Sequence, residues 1–151
     1  AGLDDQPVKA SRGVLLIPDT TLDQALTQAF DMLVLPGGQP GTDNLKADPR
    51  IGALLQEMAQ SGKFTCAICA APAVLAAAGL LDGKRATSYP GSLAGASNVT
   101  LSAAPVVKDG NIITSRGPGT AMDFALDLVE ALVGKAKRDE VEAGLQRPGK
   151  Y

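Results

Sequence analysis

The chain has 151 residues, which is enough to bury one substantial hydrophobic core and predicts a single domain. A formal net charge of −2 and an aromatic content of 3 % argue against a nucleic-acid partner, and no apolar run approaches the roughly 18 residues of a membrane span. Two cysteines and no histidine leave no disulfide framework and few zinc ligands, so a cytoplasmic protein with reduced thiols and no metal is expected.

The first part of the chain alternates predicted strands and helices. Residues 13–17 are an apolar run that predicts a short buried strand, and Thr20 or Thr21 is expected to cap a helix that continues to Phe30. The run "DMLVLPGG" predicts a second buried strand, of the unbroken apolar kind typical of parallel sheets. A longer helix follows, with Asp48 as N-cap, Pro49 as first residue and an apolar stripe made of Ile51, Leu54, Leu55 and Met58.

The second part continues this alternation. "KFTCAIC" predicts a strand, "AAPAVLAAAGLL" a helix that ends near Gly79, and "RATSY" a further strand, whereas residues 90–103 are expected to be irregular. "APVVKDGNIITSR" predicts a hairpin that turns at Asp109-Gly110, and a long helix then ends before Gly134. Residues 135–151 are expected to form a charged helix and a mobile tail. Alternating strands and helices predict one domain with a parallel α/β sheet covered on both faces.

Cys69 is the first candidate for chemistry, because it stands between a predicted strand and a helix of small residues. A sharp turn at this point would expose the thiol, and the first N–H groups of the helix would stabilise a thiolate. The small neighbours that such a turn needs are Ala67, Ala70, Ala71 and Ala73. Taken alone, the pattern also fits a cysteine that packs in the core, which is the more common case.

Two other stretches place glycines after predicted strands. Gly37 and Gly38 follow a parallel strand, so they lie at the sheet edge where open α/β folds bind ligands, and free N–H groups there can hold an oxyanion. Arg116 follows another strand and is expected at the same edge. Taken alone, these stretches also fit a plain loop and a surface arginine before a capped helix.

Cys66 and Cys69 have the spacing C-x-x-C, but we do not predict a redox pair. Three steps along a strand separate two Cα atoms by about 10 Å, whereas a disulfide spans at most about 7 Å. Cys66 is therefore expected to be a core residue.

Four segments, in matching order, resemble the DJ-1/ThiJ/PfpI superfamily. They are "SRGVLLIPD", "FDMLVLPGG", "AICAAP" and "ITSRGPGTAMDFALDLVEAL", and the resemblance extends over residues 1–134. It is to the branch of the Parkinsonism-associated deglycase and its bacterial relatives. The resemblance implies a flavodoxin-like three-layer sandwich with a mostly parallel sheet, and it implies a homodimer.

The resemblance also implies roles for single residues. Cys69 matches the family's reactive cysteine at a nucleophile elbow, and the backbone amides of Gly37, Gly38 and Ala70 match its oxyanion site. Arg12 matches an arginine that approaches the site from the dimer partner. The residues that match the lining of the pocket are Ser115, Arg116, Gly117, Pro118 and Tyr89.

Two departures from the family pattern affect the expected chemistry. Tyr89 stands where many members have a histidine, so a Cys-His pair within this chain is excluded and a PfpI-type peptidase is disfavoured. The chain also starts after the family's first strand and helix, which carry a glutamate that hydrogen-bonds the cysteine sulfur. Because a missing central strand would leave unpaired edges, we expect an N-terminal fragment of the same protein, of roughly 35 to 50 residues, to supply strand, helix and glutamate.

Two functions that share one thiol follow from these expectations. In the first, Cys69 attacks a small reactive aldehyde such as methylglyoxal, in glyoxalase- or deglycase-like chemistry that needs no cofactor. In the second, Cys69 oxidises to a sulfinic acid and the protein acts as an oxidative-stress sensor or chaperone. The expected partners are the aldehyde, a second copy of the chain and the N-terminal fragment, with no nucleic acid and no membrane.

Overall fold

The fold is taken from a computed structural model, which describes residues 1–147. Its strands are β1 (Val8–Lys9), β2 (Leu15–Leu16), β3 (Met32–Leu35), β4 (Phe64–Ile68), β5 (Lys84–Ala86), β6 (Val99–Leu101), β7 (Val106–Asp109) and β8 (Ile112–Ser115). Its helices are α1 (Leu22–Ala25), α2 (Gly41–Ala47), α3 (Pro49–Gln60), α4 (Pro72–Ala77), α5 (Ala121–Val133) and α6 (Lys135–Gly144), and one 3-10 turn, Pro118–Thr120, precedes α5.

A four-stranded sheet in the order β3-β4-β8-β7 forms the centre of the molecule. Strands β3, β4 and β8 run parallel, and β7 pairs antiparallel with β8 through the predicted hairpin. A parallel pair, β5-β6, and an antiparallel pair, β1-β2, lie outside this sheet. Because parallel strands end at the same edge, the segments that follow β3, β4 and β8 meet there.

Two apolar cores lie on opposite faces of the sheet. Leu35 and Ala67 belong to the larger core, together with side chains of α3 and α4. Cys66 belongs to the smaller core, together with Ile113 of β8 and Phe124 of α5. Consecutive residues of a strand point to opposite faces, so β4 is covered on both sides and the fold is a flavodoxin-like three-layer α/β sandwich.

Predicted helix starts are confirmed at two positions. The Thr21 side chain accepts a hydrogen bond from the Gln24 N–H in a capping box at the start of α1. The Asp48 carboxylate accepts from the Arg50 N–H at 2.9 Å, and Pro49 is the first residue of α3. These local signals were readable in the sequence because each cap joins residues only two or three positions apart.

The predicted buried strand over residues 13–17 is wrong in its burial and its length. Only Leu15 and Leu16 are in strand conformation, and the apolar side chains of this segment are exposed, up to 85 % for Ile17. The reason is that β2 pairs with β1 in a hairpin outside the main sheet. An apolar run indicates burial only where a second layer covers it.

Three smaller expectations also differ from the structure. Helix α1 ends at Ala25 rather than at Phe30, residues 90–103 contain strand β6, and α2 is a helix that the sequence pattern does not indicate. The expected charged C-terminal helix is present as α6. Residues 148–151 of the expected tail lie outside the described residues.

Candidate active site

Cys69 lies in a sharp turn between β4 and α4. Its backbone has a φ of 65°, in the left-handed region that residues other than glycine rarely adopt. The Cys69 N–H donates to the carbonyl of Ser115 at 3.0 Å, and the Cys69 carbonyl accepts from the N–H of Tyr89 at 2.8 Å. The side chain is half-buried, and the thiol is free. The strand-to-helix turn predicted from the small residues is therefore present, and it is held from both sides.

Gly37 packs directly against this turn. A Cβ atom at Gly37 would lie 2.5 Å from the Cβ of Cys69 and 2.7 Å from the carbonyl oxygen of Ile68. Both distances are shorter than any normal contact, so the backbone after β3 approaches the turn more closely than a side chain permits. The loop is also tied to α2, because the Gly38 carbonyl accepts from the N–H of Thr42 at 2.8 Å and from its hydroxyl at 2.9 Å.

Two backbone amides next in sequence to the contacting residues Gly37 and Cys69, those of Gly38 and Ala70, have no internal acceptor. None of the hydrogen bonds formed among residues 1–147 has the N–H of Gly38 or Ala70 as its donor. An amide that is free next to a thiol can donate to a negatively charged atom that forms there. This arrangement is compatible with the oxyanion site that the sequence suggested.

The end of β8 and the segment that follows it lie at the same edge of the sheet. The Ser115 hydroxyl donates to the Pro105 carbonyl at 2.9 Å and lies 2.7 Å from the Thr120 hydroxyl. The Gly117 N–H donates to the same Thr120 oxygen at 3.1 Å. These bonds hold the junction that leads into α5.

A shallow depression of about 270 Å³ adjoins this junction; it is lined by Tyr89, Pro90, Arg116, Gly117, Pro118, Gly119 and Thr120. The structure thus brings together four residues that the sequence suggested for a pocket, whereas Cys69 is not among the lining residues. Tyr89 connects the two features, since its N–H bonds the Cys69 carbonyl. The guanidinium of Arg116 donates to the Ala103 carbonyl at 3.2 Å, which orients the side chain.

Arg12 lies in the turn of the β1-β2 hairpin and is exposed. Its neighbour Ser11 approaches the loop after β3, because a Cβ at Gly38 would lie 3.1 Å from the Ser11 hydroxyl oxygen. The hairpin turn is therefore close to the Gly38 loop of the same chain. The suggestion that Arg12 reaches the site of a second chain stays a prediction.

Cys66 is a core residue, as predicted. It is fully buried in β4, and burial raises the pKa of its thiol to about 12. Its side chain packs with Ile113 and Phe124 beneath α5. A thiol in this position stays protonated at neutral pH and is not accessible to reagents.

Cys69 has no bonded carboxylate partner among the described residues. Within residues 1–147, no hydrogen bond joins the Cys69 side chain to a carboxylate, and no three His, Cys, Asp or Glu side chains are grouped so as to hold a metal ion. Over the same residues, no helix is both long and apolar enough to cross a membrane.

Sequence reasoning missed one contact at the site. The Thr114 hydroxyl accepts a hydrogen bond from the buried N–H of Thr87, at 3.0 Å. Thr114 is the polar residue that follows the apolar pair Ile112-Ile113, but that pattern gives no partner. The partner is 27 positions away along the chain.

A three-layer α/β sandwich with a thiol at the turn after an inner parallel strand defines a class, the flavodoxin-like proteins with a cysteine at a nucleophile elbow. Within that class, residues 1–131 match the model of the DJ-1/PfpI family, and the chain belongs to this family.

Individual relatives agree with this assignment. The chain is 47 % identical over 148 residues to protein dj-1beta of Drosophila melanogaster, with 96 % of this chain and 79 % of the relative covered. The crystal structure of that relative superposes with a TM-score of 0.88 at 46 % identity, over 93 % of this chain and 77 % of the other.

Two further relatives carry informative names. The chain is 37 % identical over 143 residues to the glutathione-independent glyoxalase DJR-1.2 of Caenorhabditis elegans, covering 93 % of this chain and 76 % of the relative. Oxidized DJ-1 of Toxoplasma gondii superposes with a TM-score of 0.87 at 32 % identity, over 97 % of this chain and 80 % of the other.

Proposed function

We propose that this protein is a cysteine-dependent enzyme that converts small reactive aldehydes such as methylglyoxal into hydroxy acids, in glyoxalase- or deglycase-like chemistry. The observation that carries the proposal is the left-handed turn at Cys69, with the unpaired amides of Gly38 and Ala70 beside it. A glyoxalase among the relatives supports this substrate class.

The proposed reaction needs only the thiol, a proton carrier and water. The Cys69 thiolate adds to the aldehyde carbon, and the Gly38 and Ala70 amides donate to the oxyanion that forms. A proton then moves from the aldehyde carbon to the neighbouring keto carbon, which leaves a lactoyl thioester on Cys69. Water hydrolyses the thioester, releases lactate and restores the thiol, so the net change is the addition of one water molecule.

The proton carrier in this proposal is the glutamate that the family resemblance implies, on a strand and helix that pack against the outer edge of β3. Support comes from β3, which pairs with β4 on one side and is the outer strand of the described sheet. All four side chains of β3 are apolar, yet that of Val34 is 41 % exposed. Amide hydrogen exchange of the native full-length protein tests this point, because rapid exchange of the β3 amides that point away from β4 would mean that no further strand covers this edge.

We also propose that the active form is a cytoplasmic homodimer in which Arg12 of one copy approaches the site of the other. The exposed apolar side chains of the β1-β2 hairpin support an interface near Arg12. Sedimentation of the native protein gives the oligomeric state directly. A monomer at micromolar concentration would exclude a contribution of Arg12 across an interface.

The decisive experiment measures lactate formed from methylglyoxal by the full-length protein. Cys69→Ser is expected to lower turnover by about a thousandfold or more, because a serine hydroxyl is not ionised near neutral pH. Cys66→Ala is the matched control, because it removes the buried thiol in β4, which is not part of the turn. Its turnover should stay within about threefold of that of the unaltered protein. Turnover that survives Cys69→Ser would reject the mechanism.

A second candidate function, that of an oxidative-stress sensor or chaperone, uses the same thiol. Two equivalents of hydrogen peroxide would convert Cys69 through the sulfenic to the sulfinic acid, with one water released in each step. The oxidized Toxoplasma relative favours this candidate. A stable gain of two oxygen atoms on Cys69 after mild peroxide, without turnover of methylglyoxal, would select it over the enzyme.

A further inference from the structure

The turn at Cys69 belongs to a closed ring of hydrogen bonds. On one side, the Cys69 N–H donates to Ser115 at the end of β8; on the other, the Cys69 carbonyl accepts from the N–H of Tyr89, which follows β5. These two flanking segments are joined to each other, because the N–H of Thr87 donates to the Thr114 hydroxyl at 3.0 Å. Thr114 precedes Ser115, and Thr87 lies two residues before Tyr89, so the ring closes.

A side chain, rather than a backbone carbonyl, closes this ring. Strand β5 pairs with β6 through its backbone. On the side of the main sheet, side chains accept the hydrogen bonds of two N–H groups, one in β5 and one just after it. The N–H of Arg85 donates to the Asp109 carboxylate at 2.9 Å, and the N–H of Thr87 donates to Thr114. The Thr114 hydroxyl is therefore the group that joins the segment after β5, beside Cys69, to strand β8.

Burial makes that hydroxyl hard to replace. The exposed fraction is 0 % for Thr114 and 1 % for Thr87, so solvent has no direct access to the bond. Thr114 lies on β8 between Ala67 of β4 and Val107 of β7, which fixes its backbone on both sides. If the hydroxyl is removed, the Thr87 N–H is left buried without an acceptor, and the segment that carries it must move or open.

We propose that Thr114 is a positioning residue for the Cys69 thiol. The Thr114 hydroxyl fixes the position of Thr87 and so that of Tyr89, two residues further on. The Tyr89 N–H in turn makes one of the two backbone hydrogen bonds that hold the left-handed turn at Cys69. Without it, the turn relaxes towards an ordinary conformation, and the thiol moves away from the Gly38 and Ala70 amides. The inference rests on the proposed role of Cys69 as the nucleophile.

The test compares Thr114→Val, which keeps the shape but loses the acceptor, with Thr114→Ser, which keeps the acceptor. The readouts are the rate of Cys69 alkylation by iodoacetamide and the methylglyoxal kinetics of the full-length protein. Thr114→Val should lower the alkylation rate and kcat by about tenfold with little change in KM, because the fault lies in the placing of the reacting atom. Thr114→Ser should stay within about threefold of the unaltered protein.

Two control variants separate positioning from general loosening. Asp109→Ala removes the other side-chain attachment of β5, at the end of the strand away from Cys69. Thr65→Val makes the same change at another buried threonine, outside the ring. In both variants, iodoacetamide should alkylate Cys69 at the same rate as in the unaltered protein. The inference is overturned if Thr114→Val reacts normally, or if Asp109→Ala slows Cys69 as much as Thr114→Val does.

Alkylation also keeps this test apart from that of the proposed function. If the unaltered protein shows no turnover of methylglyoxal, the proposed function fails, but the effect of Thr114 on the thiol is still measured. If Thr114→Val does not fold, amide exchange of the unaltered protein decides instead. The amides of Thr87, Tyr89 and Cys69 should exchange within about threefold of each other, and Thr87 exchanging more than about tenfold faster overturns the inference.

Discussion

The two cysteines of this chain lie three positions apart and have opposite environments. Cys66 is inside β4, where neighbouring strands and α5 enclose it completely, and burial raises the pKa of its thiol to about 12. Cys69 lies just beyond the last residue of β4, where the backbone adopts a φ of 65° and the side chain is half-buried. The difference arises because a strand buries its residues only while it stays paired, and the chain leaves the sheet between the two.

The largest effect that tests this comparison is selective alkylation. At pH 8 a thiol with a pKa of about 12 is ionised in about one molecule in ten thousand, and Cys66 is also inaccessible. Iodoacetamide should therefore label Cys69 at least about a thousandfold faster than Cys66, with peptide mass spectrometry as the readout. Both thiols should react alike after unfolding in urea. Equal labelling of the two in the folded protein would break the comparison.

A smaller effect is expected from Gly37→Ala, which tests what holds Cys69 outside the sheet. The new Cβ would lie 2.5 Å from the Cβ of Cys69, so the turn has to shift. We expect the alkylation rate of Cys69 to fall by about a hundredfold, because a shift of about 1 Å disrupts the alignment of a reacting atom.

Gly52→Ala is the matched control for that variant. No atom lies within 4 Å of a Cβ at Gly52, which is inside α3. Alanine there should leave the reactivity of Cys69 unchanged and raise the free energy of unfolding by about 0.5 to 1 kcal/mol. If Gly37→Ala behaves like Gly52→Ala, the close approach at Gly37 does not matter for the thiol.

The pH dependence of stability should sharpen the description of Cys66. Because its folded-state pKa is raised from 9.0 to about 12, the folded state keeps the proton more tightly than the unfolded state. This contribution is complete below about pH 9 and is lost as the pH rises towards about 12. Between about pH 9 and pH 10.5 the free energy of unfolding should fall by about 2 kcal/mol from this group.

Urea unfolding at several pH values, with Cys66→Ala as the reference, isolates that loss from the titration of lysines and tyrosines. The two proteins should have the same slope below about pH 8.5 and different slopes above it. Identical slopes throughout would mean that the Cys66 thiol is not enclosed as described.

The smallest effect is expected at Thr87, on the segment that holds Cys69 from one side. Its N–H is bonded to Thr114, but its hydroxyl oxygen is buried with no partner among the described residues. Thr87→Val removes that unpaired group and should raise the free energy of unfolding by about 1 kcal/mol in chemical denaturation. Thr114→Val should change it in the opposite direction. A loss of stability in both variants would show that the Thr87 hydroxyl has a partner after all.

The candidate site was only partly readable in the sequence. The small residues around Cys69 and the glycines after β3 predicted a turn and a loop at the same sheet edge, because these signals are local. The close contact between Gly37 and Cys69 joins positions 32 residues apart, and the bond between Thr87 and Thr114 joins positions 27 apart. Such contacts follow from strand order and register, which a single sequence does not specify.

The same distinction explains the error at residues 13–17. Their apolar character was clear, but whether an apolar segment is covered depends on the layer that packs against it, and this segment lies in a hairpin outside the sheet. By itself the sequence determined the alternation of strands and helices, the caps at Thr21 and Asp48, and the family, because each rests on neighbouring residues or on ordered motifs. Only the tertiary structure decided that Cys66 is enclosed and Cys69 is held in a left-handed turn, because both outcomes depend on backbone segments that are distant in the chain and meet only when the sheet is assembled.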